Sequence, residues 1–81
     1  MREDKQKIMD ALCETLRLTR NAGDQEGNAL VQLLYIPEKE IVRPIFDDGT
    51  GKDGYYDVNV AGDSGTAMIT DVANQFIKKM W

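Results

Sequence analysis

The chain has 81 residues, 10 basic and 14 acidic, for a net charge of −4, and it contains no histidine. An excess of acid argues against general binding to nucleic acid or to anionic membranes. The missing imidazole removes the commonest general base and the commonest metal ligand. A chain of this length is expected to form a single domain over residues 1–81, burying about two-thirds of its unfolded surface and leaving little volume for an enclosed ligand pocket.

The first predicted element is a helix over Glu3–Arg20. Ile8, Met9, Leu12, Cys13 and Leu16 form one apolar stripe, and Leu18 lies off it. Acids at the start (Glu3, Asp4) and arginines near the end (Arg17, Arg20) have the favourable sign for the helix dipole. Asn21-Ala22-Gly23 follows as a C-terminal stop. Cys13 is the single cysteine, so an internal disulfide is ruled out, and its place on the apolar stripe predicts a buried structural thiol. A reducing, cytoplasmic compartment is the simplest expectation. No apolar core of a signal peptide follows the polar Met1–Lys7, and no run of about 20 apolar residues could span a membrane.

Ala29–Ile36 reads as the first strand. Simple alternation puts Val31, Leu33 and Tyr35 on one face and Leu30, Leu34 and Ile36 on the other, so both faces are apolar. With two helices available, the second face (Leu30, Leu34, Ile36) is left to a partner. Pro37-Glu38-Lys39-Glu40 is a turn, and Ile41–Phe46 the second strand. Pro44 lacks a ladder donor, so a bulge or a broken ladder is expected near it if this strand is central. The loop Asp47–Gly54 is rich in Asp and Gly, but in neither register does it match a calcium loop. Starting at Asp47 places Lys52 where the invariant Gly should be, and starting at Asp48 places Asp53 there.

Tyr55–Ala61 alternates as a third strand, with Tyr56, Val58 and Val60 core-facing and Tyr55, Asp57 and Asn59 facing away. Asp63 or Ser64 then caps a second helix whose stripe is Met68, Ile69, Val72, Ala73, Phe76, Ile77 and Met80. Lys78 and Lys79 suit its C-terminal end. Gly62-Asp63-Ser64-Gly65 resembles the nucleophile segment of trypsin-like serine proteases. That chemistry needs a base beside the serine, and there is neither a histidine nor a Ser-x-x-Lys spacing to supply one.

The expected fold is therefore α+β, in the order α-β-β-β-α, with a three-stranded antiparallel sheet and two helices packed on one face. That order is similar to double-stranded RNA-binding domains. Such domains start their second helix with lysines, where this chain has Asp63, Ser64, Gly65, Thr66 and Ala67. The segment Val58–Met68, about a seventh of the chain, resembles the ends of small uncharacterised accessory proteins of bacterial phages and integrative mobile elements. The resemblance implies an accessory or regulatory role and brings no catalytic residues with it.

The functional expectation is a non-enzymatic protein-interaction module without cofactor or metal, binding a protein partner or forming a homodimer, with neither nucleic acid nor membrane as direct partner. Its candidate partner residues are Leu30, Leu34, Ile36, Tyr55 and Trp81, since apolar patches and tryptophan mark interfaces. The alternative is an acidic inhibitor that mimics nucleic acid through Glu38, Glu40, Asp47, Asp48, Asp53 and Asp57. A small-ligand or ion-binding domain is a further alternative.

Overall fold

The computed structural model describes residues 3–19, 28–47, 54, 56–61 and 63–80. Helix α1 spans Lys5–Arg17. Its start is set by Asp4, whose side chain accepts a hydrogen bond from the Lys7 amide at 3.0 Å, satisfying one of the orphan donors of the first turn. Met9, Cys13 and Leu16 form its buried stripe, while Leu18, just past the end, is 89% exposed. The helix ends at Arg17, short of the expected Arg20, and the expected stop at Asn21-Ala22-Gly23 lies outside the described residues.

Strands β1 (Leu30–Ile36) and β2 (Ile41–Phe46) are joined by a single 3₁₀ turn, Pro37–Lys39, closed by Glu40 in the left-handed conformation (φ 53°). Strand β3 is short, Val58–Asn59. The sheet is antiparallel throughout, in the order β1-β2-β3, so β2 is central and β1 and β3 are edges. Helix α2 (Gly65–Val72) begins at Ser64, whose hydroxyl accepts from the Ala67 amide at 3.1 Å. The helix continues through a π-helical turn, Ala73–Ile77, into a last turn, α3 (Lys78–Met80). The order and the α+β class are those expected from the sequence. Among the described residues no helix is long and apolar enough to cross a membrane.

One apolar cluster holds these elements together. Met9, Cys13 and Leu16 of α1 and Met68, Val72 and Phe76 of the C-terminal helix meet Leu30, Leu33, Val42, Phe46, Val58 and Val60. Both helices therefore lie on one sheet face. Gly65 fits at their crossing because it has no side chain: a Cβ there would clash with the Ile8 Cδ1. The Glu3 carboxylate reaches across from the start of α1 to accept from the Gly65 amide at 3.2 Å, which also places a negative charge at the positive end of α2.

Two irregularities depart from simple alternation. The register shifts by one residue between Leu30 and Gln32: Leu30 pairs with Phe46 and Gln32 with Ile45, leaving Val31 as the extra residue of a bulge. The shift turns Leu30 into the core, fully buried, and leaves Val31 43% exposed. Leu30 is thereby removed from the outer face to which alternation assigned it, and Val31 from the inner one. The second irregularity explains why β3 begins only at Val58, where Tyr56 and Asp57 were expected to belong to the strand. The Val60 amide donates to the Glu40 carbonyl, so residues 40, 42 and 44 turn their polar groups towards β3. The next hydrogen-bonded pair would join residue 44 to residue 56, and Pro44 has no N–H to offer. The ladder stops there, as the sequence led us to expect of a proline in the central strand. Tyr56 leaves the ladder yet still packs on the core.

Candidate functional site

The sheet face opposite the helices carries the residues of interest. Cross-strand pairs Ile36–Ile41, Leu34–Arg43 and Gln32–Ile45 stand in one layer, with Asn59 beside Ile41. Leu34, Ile36 and Ile45 are half-buried and Ile41 is buried. In their midst Arg43 makes a two-point contact with Asp57, Nε to Oδ1 at 2.9 Å and Nη2 to Oδ2 at 3.1 Å. The carboxylate holds the Arg43 guanidinium charged to still higher pH than usual, chiefly through this hydrogen bond. A turn positions Asp57: its amide donates to the Gly54 carbonyl, and Gly54 sits at φ +78°. A side chain there would be strained, and its Cβ would press against Asp57 Oδ2 at 3.0 Å.

Of the expected partner residues, Leu34 and Ile36 lie on this face and Leu30 does not. Tyr55 and Trp81 lie outside the described residues. Ile45 and Arg43 were missed as members of the face. Their alternation along β2 opposite Val42, Pro44 and Phe46 was available in the sequence.

The acidic set does not gather into one surface among the described residues. Glu38 and Glu40 are exposed at the β1–β2 turn. Asp47 is exposed at the far end of β2, about 20 Å away at the rise of an extended strand. Asp57 is engaged by Arg43. Asp48 and Asp53 lie outside the described residues. Among the described residues, no group of three or more His, Cys, Asp or Glu side chains is placed to hold a metal ion.

Cys13 is buried in the core cluster that α1 shares with β1. Burial raises its pKa above the usual 9.0, outweighing the pull of Arg17 in the other direction. The thiol is therefore expected to react with a thiol reagent far more slowly in the native protein than in denaturant. The linkage has a definite sign. Because the folded pKa is the higher one, the stability associated with the neutral thiol is fully present below 9.0. It is lost as pH rises through the folded value, since the unfolded chain ionises first. Denaturant titrations on either side of that pH should show this alkaline loss in wild type and a smaller one in Cys13→Ala.

Both open edges of the sheet are met by glutamines from the helices. On β1, the Gln6 amide accepts from the Tyr35 N–H at 2.8 Å and donates to the Leu33 carbonyl at 2.9 Å. On β3, Gln75 accepts from the Asn59 N–H at 3.0 Å and donates to the Asn59 carbonyl at 2.8 Å. Asp71 accepts from the Ala61 amide at 3.4 Å. Each glutamine takes the place of a neighbouring strand's peptide group. Compared with protein-family models, with curated proteins and with solved structures, the chain matches none.

Proposed function

We propose that this chain is a non-enzymatic protein-interaction module that binds through the sheet face opposite its helices, in an accessory or regulatory role. One observation carries the reading. Leu34, Ile36 and Ile45, each half-buried, lie on the face opposite the helices, around a fixed Arg43–Asp57 pair. An apolar rim around an oriented ion pair is a surface suited to a protein partner, since the aliphatic groups supply burial and the ion pair supplies register. The mimicry of nucleic acid has less support, because Glu38, Glu40 and Asp47 sit at opposite ends of the hairpin and Asp57 is already paired.

The test is sedimentation at several concentrations on wild type and Leu34→Glu. The new carboxylate would stand opposite Arg43 on a half-buried site, so the fold is expected to hold, as far-UV circular dichroism will show. If the partner is a second copy, wild type gives a dimer that Leu34→Glu disrupts. A folded monomer in both removes self-association and directs the search to a foreign protein on the same face.

A further inference from the structure

We infer that Gln6 is an edge lock: it keeps strand β1 from pairing, edge to edge, with β1 of a second copy of this chain. The need for a lock follows from the strand itself. Leu30–Ile36 reads Leu-Val-Gln-Leu-Leu-Tyr-Ile, seven residues with no charge, no proline and no glycine, and it forms one edge of the sheet. Those are the properties of a segment that adds to other strands, and none of the usual in-strand guards, a lysine or a proline, is present. Two copies meeting antiparallel at this edge would form a two-fold symmetric pair, each satisfying the other's open groups.

Helix α1 supplies the guard that the strand lacks. The outward-pointing groups in the middle of β1 are the N–H and C=O of Leu33 and of Tyr35. Gln6 takes two of these, the Leu33 C=O and the Tyr35 N–H. The second hydrogen of the Gln6 amide goes to Asp10 Oδ1 at 2.9 Å, one helical turn on, which fixes the amide plane. At the N-terminal end of the strand the Val31 bulge bends the edge, a second device against pairing. The opposite edge needs less protection, because β3 offers two residues instead of seven.

The experiment combines sedimentation over a wide concentration range with amide exchange, on wild type, Gln6→Ala, Gln6→Met and Gln75→Ala. Gln6→Met keeps the volume of the side chain and loses its hydrogen bonds. In wild type the Tyr35 amide is expected to be protected. In either Gln6 variant it is expected to lose that protection at low concentration and to regain it as the sedimenting mass doubles or goes higher. Gln75→Ala is expected to show no such rise. The same rise in a Gln6→Ala, Ile45→Glu double variant assigns the association to the edge rather than to the opposite face. Folded Gln6 variants with no rise in mass at any concentration overturn the proposal. So does failure of both to fold, which would make Gln6 a requirement of the fold and not a guard. An unprotected Tyr35 amide in wild type, or equal association by Gln75→Ala, overturns it as well.

Discussion

Leu30→Glu is expected to unfold the domain, and Val31→Glu, one residue further on, is expected to leave it folded. Leu30 is fully buried among Phe46 and the helix residues, so a carboxylate there would lie in an apolar cluster away from water. An unpaired buried charge costs several kcal/mol, against a total stability of about 5–15 kcal/mol for a typical domain. Val31 is 43% exposed as the extra residue of the bulge, and a charge there keeps its hydration. Its cost should stay within about 1 kcal/mol, the range of ordinary surface changes. Denaturant titration followed by circular dichroism separates the two outcomes. The opposite ranking, with Leu30→Glu tolerated and Val31→Glu unfolded, would mean that β1 alternates without a shift and that Leu30 belongs to the outer face.

The same pair of residues marks where sequence reasoning stops. The stripes of α1 and of the C-terminal helix were legible because the apolar spacing is helical and both caps use short polar side chains, Asp4 and Ser64, though Ile69, expected on the second stripe, is 39% exposed beside the buried Met68 and Val72. The place of β2 between its neighbours followed from short connections, and Pro44 announced a defect in the ladder. The bulge at Val31 was not legible. Leu30, Val31, Leu33 and Leu34 are all apolar, so sliding by one residue changes nothing in the pattern that alternation reads. Only the partner strand decides, by placing Phe46 opposite Leu30. The edge contacts were hidden for a different reason. Gln6 and Gln75 look like ordinary solvated positions, and their roles depend on strands 27 and 16 residues away. On the candidate face, Leu34 and Ile36 were found from their own strand. Arg43 and Ile45 required knowing which faces of two strands coincide.

Phe76→Ala carries the second large effect, with an expected loss of about 3–5 kcal/mol. The ring is buried, and it closes a three-ring cluster with Phe46, 6.2 Å between centroids, and Tyr56, 6.3 Å. Phe46 and Tyr56 themselves meet edge-on at 5.3 Å. The cluster ties the C-terminal helix to β2 and to the segment before β3, just where the ladder has ended at Pro44 and side chains, the Arg43–Asp57 pair among them, join the two. Side-chain packing must therefore do there what the sheet cannot. Phe76 also lies within the π-helical turn, one residue after Gln75, so its anchorage helps place the glutamine that meets Asn59. For a chain of this size the melting temperature should fall by roughly 12 °C or more. Ile69→Ala, on the exposed side of the same helix, should cost far less. In the Phe76 variant the Asn59 amide should lose protection at lower denaturant than the Tyr35 amide, whose guard comes from the other helix. Equal, small shifts for Phe76→Ala and Ile69→Ala would show that the aromatic cluster does not hold this end of the fold. The short β3 would then need another source of support.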